Sequence, residues 1–200
     1  MSSELTKRIF TSILLLLFIF SILIYLNEDY FGYFLIFVGI FCFYEWVTTN
    51  IFLLKKYDTG FKPYFILLFG FIYFFLIFPS SAFYLRFSIG LNFFLFILLI
   101  CIFSDVGGYI FGKTLGGKKL TKISPNKTIS GSIGSFIFSI LPLIFIKLSN
   151  IEESFLELNL VNIIFILFVS LICQLGDLFF SYFKRLNNKK NTSNLLPGHG

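Results

Sequence analysis

Long apolar stretches separated by short polar ones dominate the sequence. A transmembrane helix needs about 20 mostly apolar residues, and six stretches reach or approach this length. They are residues 9–26, 30–47, 64–78, 91–103, 133–148 and 160–180. The third and fourth stretches are short, and their ends can extend through residues 79–90 or into the sequence SDVGGYIFG. The pattern predicts an all-α fold, a polytopic bundle of about six transmembrane helices.

Composition supports a location in the bilayer. The chain is 57% hydrophobic and only 13% charged, with a mean hydropathy of +0.90, whereas about a quarter of the residues in soluble domains are charged. The first apolar stretch follows Lys7 and Arg8, but it is long and lacks a small-residue cleavage site, which predicts a retained span. The cysteines lie singly in apolar stretches, as expected of packed thiols, at positions 42, 101 and 173.

The basic residues indicate how the helices are oriented. Cytoplasmic loops near helix ends carry an excess of lysine and arginine. If the N-terminus is cytoplasmic, all of the 16 basic residues except Arg86 and Lys147 fall on the inner side. The sequence therefore predicts an N-in, C-in, multi-pass protein of the cell membrane. The net charge of +6 is explained by this sidedness and gives no reason to expect nucleic acid as a partner.

Two inner segments are long enough to carry chemistry, residues 104–132 and 181–200. Both are rich in Gly, Ser, Thr, Asn and Lys, which is typical of loops that present backbone amides and cations. Such cytoplasmic loops suit an anionic, phosphorylated substrate. We therefore divide the chain into an N-terminal transmembrane scaffold, residues 1–103, and a catalytic-type membrane region with two cytosolic loops, residues 104–200.

Two aspartates interrupt or end apolar stretches. Asp105 precedes two glycines, and Asp177 lies in the sequence CQLGDLFFSYFKR with apolar residues on both sides. An ionised carboxylate inside a membrane span costs about 2.5–3.5 kcal/mol even on a mild scale, so each needs a compensating interaction. Each is either a ligand-binding group or a helix-end residue that reaches the interface or pairs with a lysine.

The sequence GGYIFGKT, residues 107–114, matches the P-loop pattern. A P-loop needs a preceding buried strand in an α/β sheet, and the preceding element here is a membrane span. We therefore interpret Gly108, Gly112 and Gly116 as a small-residue stripe for close helix packing. This interpretation leaves Lys113 free to face a ligand.

The sequence KISPNKTISGS, residues 122–132, combines lysines with hydroxyls. It is either a phosphate-binding loop or a solvated turn. Lys184 and Arg185 follow Asp177 by about two helical turns, so acid and base can serve one site, or the basic run can anchor the chain on anionic lipid. His199, between two glycines, is alone only weak evidence for a metal ligand or base.

Together, these stretches resemble the bacterial phosphatidate cytidylyltransferases, also called CDP-diacylglycerol synthases, from about Ser104 to the last residue. The family signature reads Ser-x-apolar-Lys-Arg, then Lys-Asp, then Pro-Gly-His-Gly-Gly, then Asp-Arg-x-Asp. The residues in register are Ser181, Phe183, Lys184, Arg185, Lys190, Ser193, Leu196, Pro197, Gly198, His199 and Gly200. Three earlier blocks are also similar: SDVGGYIFGKTLGGKKL, ISPNKTISGSIGS and QLGDLFFS.

Two departures from the signature affect expectations. Asn191 stands where the family has aspartate, and the sequence ends before the second glycine and the Asp-Arg-x-Asp run. In this respect the catalytic-type region is incomplete at its C-terminus. Because the missing run would supply the second metal-binding aspartate, we expect the 200-residue chain alone to have little or no activity.

The resemblance implies transfer of the cytidylyl group of CTP to phosphatidic acid, with Mg²⁺ as cofactor and the lipid bilayer as the setting. It assigns the metal to Asp177 and the substrate phosphates to five basic residues supported by two hydroxyls. These are Lys113, Lys122, Lys127, Lys184 and Arg185, with Ser124 and Thr128. Asp105 completes the nucleotide-binding set and His199 the catalytic set, and formation of a homodimer stays open.

Three alternatives remain at this point. The chain is a non-catalytic homologue or fragment, a small membrane transporter, or a related lipid-modifying enzyme that uses another nucleotide or acceptor. A transporter needs ionisable groups near mid-membrane, and only Glu45 approaches such a position.

Overall fold

The computed structural model describes residues 3–56, 61–121, 123–148 and 157–189. Over these ranges the chain forms helices and no strand, apart from one isolated antiparallel bridge between Lys119 and Thr128. The α-helices are α1 (Ser3–Tyr25), α2 (Glu28–Lys56), α3 (Phe61–Ile72), α4 (Phe78–Phe83), α5 (Leu91–Thr114), α6 (Ile129–Ser139), α7 (Leu141–Leu148) and α8 (Leu160–Leu186). Two π-helical segments, Tyr73–Ile77 and Tyr84–Ile89, flank α4.

The predicted all-α polytopic bundle is confirmed, since nearly all of each predicted apolar stretch is helical. Within the described ranges, five helices are long and apolar enough to cross a membrane: Glu28–Leu54, Tyr64–Ile89, Leu91–Thr114, Ile129–Leu148 and Leu160–Leu186. The apolar helix Ile13–Tyr25, part of α1, corresponds to the first predicted span. The chain is therefore a multi-pass membrane protein by the length and composition of its helices.

The third and fourth spans are longer than their apolar cores suggested. The third continues to Ile89 through the two π-helical segments, on either side of Pro79 near the start of α4. Proline has no amide hydrogen, so the helix around it must adjust its hydrogen bonds. The fourth continues to Thr114, so the predicted cytosolic segment 104–132 is helical at both ends. Only residues 115–128 connect α5 to α6.

The helices form two compact units. One comprises Met1–Leu91 with Phe183–Gly200, and the other Asn92–Tyr182. In the first unit α2 packs on α3 and α4. Trp46 of α2 donates its indole hydrogen to the carbonyl of Ile66 at 2.9 Å and lies where a side chain at Gly70 would clash. An aromatic side chain on α2 thus fixes the approach of α3.

The second unit has a small apolar core and a close helix crossing. Phe96 and Ile100 of α5 are buried with Leu143 of α7 and Ile166 of α8. Further along α5, a Cβ on Gly107 would lie 2.4 Å from the carbonyl oxygen of Gly134 in α6. The two backbones are therefore in direct contact, as small residues at helix crossings in membranes allow.

The predicted glycine stripe is correct at two of its three positions. Gly108 and Gly112 face α6, because a Cβ there would meet Ser135 Oγ at 2.6 Å and Thr128 Oγ1 at 3.3 Å. The prediction is wrong for Gly116, which lies beyond the end of α5 with a left-handed φ of 59°. This residue turns the chain out of the helix, and glycine adopts the left-handed conformation required there without strain. The P-loop pattern 107–114 lies in α5, so it is not a phosphate-binding loop.

Candidate active site: a lysine and two aspartates around one cavity

The connection between α5 and α6 is an ordered hairpin in its described residues. The amide of Leu120 donates to Lys127 O at 2.8 Å, and the amide of Ile129 donates to Lys118 O at 3.0 Å. A turn over 124–127 is closed by the Lys127 amide donating to Ser124 O at 3.1 Å. Serine at the first position and proline at the second favour such a turn. The sequence SPNK thus places Lys127 at a fixed point of the hairpin.

Thr128 joins the hairpin to α6. Its backbone is extended and its Oγ1 accepts the amide of Gly131 at 3.1 Å, which makes it the N-cap of α6. The hydroxyl also shares a hydrogen bond with Ser130 Oγ at 3.0 Å, and Ser130 donates to the carbonyl of Gly116. The Thr128 hydroxyl, which the sequence assigned to phosphate support, is therefore engaged in holding the loop.

Lys127 pairs with Asp177. Its Nζ donates to Asp177 Oδ2 at 2.7 Å and connects the hairpin to α8. Asp105 of α5 lies within electrostatic range of both groups. Asp177 lies in the apolar span Leu160–Leu186, where the sequence predicted a carboxylate that needs a compensating interaction, and its side chain is 56% exposed in the protein alone. The compensating cation is a lysine 50 residues earlier, and the ion pair is open to ligands.

The three charged groups surround one cavity of about 320 Å³ in the second unit. Polar side chains from the hairpin, α5, α6 and α8 line it. They are Asp105, Tyr109, Ser124, Asn126, Lys127, Thr128, Ser132, Ser135, Gln174 and Asp177. A cavity with one cation, two carboxylates and several hydroxyls and amides can bind an anion together with a divalent cation.

A chain of hydrogen bonds runs from the cavity into the helix core. Ser132 Oγ donates to Gln174 Oε1 at 2.5 Å, and Gln174 Nε2 donates to Ser170 Oγ at 3.4 Å. Ser170 in turn bonds to Ser104 Oγ at 2.8 Å, and both serines are fully buried. Ser104 directly precedes Asp105, and Gln174 lies one turn before Asp177. These hydrogen bonds therefore order α5 and α8, the two helices that carry the carboxylates.

The donor set fits Mg²⁺. This ion prefers oxygen ligands and is commonly held by one or two carboxylates, with water and substrate phosphates completing its shell. Asp105 and Asp177 supply two carboxylates on one cavity. In the described part of the chain, no three His, Cys, Asp or Glu side chains converge as a metal site. The arrangement suits a metal shared with a phosphorylated ligand better than one held by protein groups alone.

The structure brings together half of the residues that the sequence singled out. Asp105, Ser124, Lys127, Thr128 and Asp177 all line the cavity.

Lys113 is outside the set of cavity-lining residues. Its Nζ bonds to Tyr109 Oη at 3.4 Å and lies 5.6 Å from the centre of that ring. Because Tyr109 itself lines the cavity, Lys113 is one residue removed from it. Lys184 and Arg185 lie in the last turn of α8 and belong to the first unit. Lys122 and His199 lie outside the described residues.

Sequence reasoning missed Tyr109, Asn126, Ser135 and Gln174, which also line the cavity. Helical spacing could have found two of them. Tyr109 lies four residues after Asp105 and Gln174 three residues before Asp177, so each shares a helix face with an aspartate.

Comparison with known proteins identifies the family. Residues 6–200 match the model of the cytidylyltransferase family. The phosphatidate cytidylyltransferase of Staphylococcus haemolyticus is 42% identical over 120 residues, which cover 59% of this chain and 45% of the relative. Those of Staphylococcus epidermidis and Staphylococcus aureus are 44% and 43% identical, over 56% of this chain and 43% of each relative.

The matched stretch spans less than half the length of these curated relatives. No solved structure matches the chain. The family model nevertheless covers nearly every residue, including the hairpin, α5 and α8 that form the cavity. The chain therefore belongs to the cytidylyltransferase family.

Proposed function

We propose that this chain forms the nucleotide site of a phosphatidate cytidylyltransferase, which makes CDP-diacylglycerol and pyrophosphate from CTP and phosphatidic acid. The observation that carries the proposal is the Lys127–Asp177 pair, 2.7 Å apart, on the cavity that Asp105 also lines. The names of the matched relatives point to the same reaction.

The reaction joins two anions. A phosphate oxygen of phosphatidic acid attacks the α-phosphorus of CTP, a new P–O bond forms, and the bond to the β-phosphate breaks to release pyrophosphate. Negative charge on the attacking, transferring and leaving oxygens must be neutralised by positioned cations. Mg²⁺, when bound, supplies much of this neutralisation and orients the phosphates.

The residues of the cavity provide the remaining contacts. Asp177 and Asp105 would hold the Mg²⁺ ion, and Lys127 would bind a phosphate oxygen of CTP. Lys127 and Asp177 would then give up their mutual ion pair for ligands of opposite charge. Ser124 lines the same cavity and donates its hydroxyl hydrogen to a phosphate oxygen, while the Ser132 hydroxyl stays bonded to Gln174.

Five of the six other assigned residues have a place in the proposal, and the sixth, Thr128, holds the loop through its hydroxyl. Lys113, beside Tyr109, guides the nucleotide towards the cavity. Lys122, Lys184 and Arg185 add positive charge for the phosphates of both substrates, and His199 belongs to the catalytic set implied by the resemblance.

We further propose that the chain lies in the bacterial cell membrane with the hairpin on the cytoplasmic side. The distribution of lysine and arginine along the sequence supports this orientation. CTP is then available from the cytosol, while the acyl chains of phosphatidic acid stay between the helices.

Product formation from defined substrates tests the proposal. The protein, expressed from its complete coding sequence and reconstituted in liposomes, is given radiolabelled CTP with phosphatidic acid or diacylglycerol, and separately ATP or GTP with phosphatidic acid. We expect a CDP-lipid only from CTP with phosphatidic acid in the presence of Mg²⁺. A product from another nucleotide or from diacylglycerol would identify a different lipid-modifying enzyme. CTP binding without product would favour a non-catalytic homologue, and uptake of CTP into the liposomes would indicate a transporter.

A further inference from the structure

Two buried asparagines join the end of α8 to α2 within the first unit. Asn187 directly follows α8, and its side-chain amide donates to Asn50 Oδ1 at 2.9 Å and to Phe183 O at 2.8 Å. Its Oδ1 accepts the amide of Leu53 at 3.2 Å. Asn50 is 0% and Asn187 3% exposed, so these hydrogen bonds form away from solvent.

Further contacts hold the end of α8 and the residues after it against α2. Lys189 Nζ donates to the carbonyl of Thr48 at 2.7 Å. The ring of Phe183 packs 4.9 Å from that of Trp46, whose carbonyl accepts Asn50 Nδ2 at 2.9 Å. Residues 187–189 are therefore fixed along one face of α2 by two side chains and their backbone partners. We call these contacts the asparagine latch.

We propose that Asn50 and Asn187 are positioning residues for the cytidylyl transfer, because they fix the point at which the chain leaves α8 and enters residues 190–200. This inference rests on the proposed function. The latch lies inside the stretch that resembles the family signature, between Lys184–Arg185 and the Pro-Gly-His-Gly run. A misplacement of about 1 Å can cost about 100-fold in rate, so a fixed starting point matters for the residues that follow.

The chemistry of the latch suits positioning better than simple packing. An apolar pair can slide, whereas a fully satisfied buried amide network specifies one arrangement. Asn187 uses both its amide nitrogen and its oxygen, and the oxygen is directed at a backbone amide of α2. The latch also gives the N-terminal helices a role beyond forming a lipid-facing scaffold.

The rate of proteolysis reports how often the asparagine latch opens, and this readout does not depend on enzyme activity. Trypsin cleavage after Lys189 is followed by mass spectrometry in the wild-type protein, Asn50→Leu, Asn187→Leu and Thr48→Val. Thr48→Val is the matched control, since Lys189 donates to the backbone carbonyl of Thr48, which this substitution keeps. Because local opening governs cleavage, we expect about tenfold faster cleavage in both leucine variants and no change in the control. Equal rates in the wild-type protein and Asn187→Leu would overturn the proposal.

Kinetics then separate positioning from stability. We expect kcat to fall about tenfold in each leucine variant while KM for CTP changes less than about twofold, since the CTP cavity lies elsewhere in the chain. The double variant should regain part of the thermal stability lost in each single variant, because it leaves no buried side-chain amide without its partner, yet keep the low kcat. A folded Asn187→Leu protein with wild-type kcat would refute the positioning role. If the wild-type protein makes no CDP-diacylglycerol, the proposed function fails, and the cleavage rates still decide whether the latch exists.

Discussion

The ion pair between Lys127 and Asp177 is partly exposed, so each side chain can exchange its partner for a ligand. The two side chains are 30% and 56% exposed, and pairs of this kind contribute about 0–1 kcal/mol to stability. A pair that faces an open cavity in this way is expected to contribute little to the stability of the fold. The pair is better explained as two ligand-binding groups that neutralise each other.

Replacing Lys127 should separate ligand binding from stability. In Lys127→Met the ammonium is lost while most of the aliphatic side chain is kept, so we expect a change in unfolding free energy below about 1 kcal/mol. The dissociation constant for Mg²⁺–CTP should rise about tenfold or more, because a charge-assisted bond to phosphate is lost. Thermal unfolding and nucleotide titration measure the two effects. Unchanged CTP affinity would remove Lys127 from the site.

Thr128 should act on stability through its capping hydroxyl. Thr128→Ala removes the acceptor for the Gly131 amide and should lower the unfolding free energy by about 1 kcal/mol. Thr114→Ala is the control, because that hydroxyl bonds only to the carbonyl one turn earlier in α5. Denaturant or thermal unfolding of both variants gives the comparison. Equal stability of the two would show that the cap contributes nothing.

The sequence predicted the charged groups of the site but not their pairing. Asp177 stands out as a carboxylate among apolar residues, yet the predicted basic partners were Lys184 and Arg185, two turns further along the same helix. The actual partner, Lys127, is 50 residues away. Spacing along one helix reveals neighbours on that helix, whereas a contact between elements depends on how the hairpin folds.

At the scale of elements, the crossing of α5 and α6 decides where the hairpin emerges. A Cβ added at Gly107 or Gly108 of α5, or at Gly131 or Gly134 of α6, would lie within 3 Å of an atom of the facing helix. Any added side chain separates the helices and moves the hairpin that carries Lys127.

Gly134→Ala tests this crossing. The added methyl group would lie 2.5 Å from Phe111 Cβ and 2.7 Å from the carbonyl oxygen of Gly107, so we expect a loss of about 1–3 kcal/mol in stability. Gly32→Ala in α2 has nothing within 4 Å and should be neutral or stabilising by up to about 1 kcal/mol. Thermal unfolding in the same detergent measures both. A neutral Gly134→Ala would contradict the close crossing.

The apolar pattern was sufficient to predict the helices but not their ends. α5 continues eleven residues beyond its predicted end at residue 103. This extension contains glycine, lysine and threonine, and it stays helical because its small residues pack against α6. The four-residue spacing identified Gly108 and Gly112 as contacts, but spacing alone does not name the partner helix. The spacing also does not show that α5 ends before Gly116.

At the scale of the whole molecule, the proposed orientation places the hairpin and the α7–α8 connection on opposite sides of the membrane. One span, formed by α6 and α7, separates them. Lys119→Cys in the hairpin and Leu158→Cys before α8 place a thiol at each exposed position.

A membrane-impermeant maleimide applied to intact cells should label Leu158→Cys above the wild-type background. Lys119→Cys should be labelled only after the cells are opened, as the distribution of basic residues predicts. The opposite pattern would place the hairpin outside and remove its access to cytosolic CTP.

The rate of CDP-diacylglycerol formation by the Asp177→Asn protein is the most direct test of the proposed site. Wild type, Asp177→Asn and Asp105→Asn, each expressed from the complete coding sequence, are compared in liposomes at saturating CTP, phosphatidic acid and Mg²⁺. Asp29→Asn, an exposed aspartate in the first turn of α2, serves as the control. We predict a loss of at least about 100-fold in Asp177→Asn, since a charged group at the reacting phosphates is removed, a smaller loss in Asp105→Asn, and wild-type activity in Asp29→Asn. An Asp177→Asn protein that works within about twofold of the wild type would contradict the account.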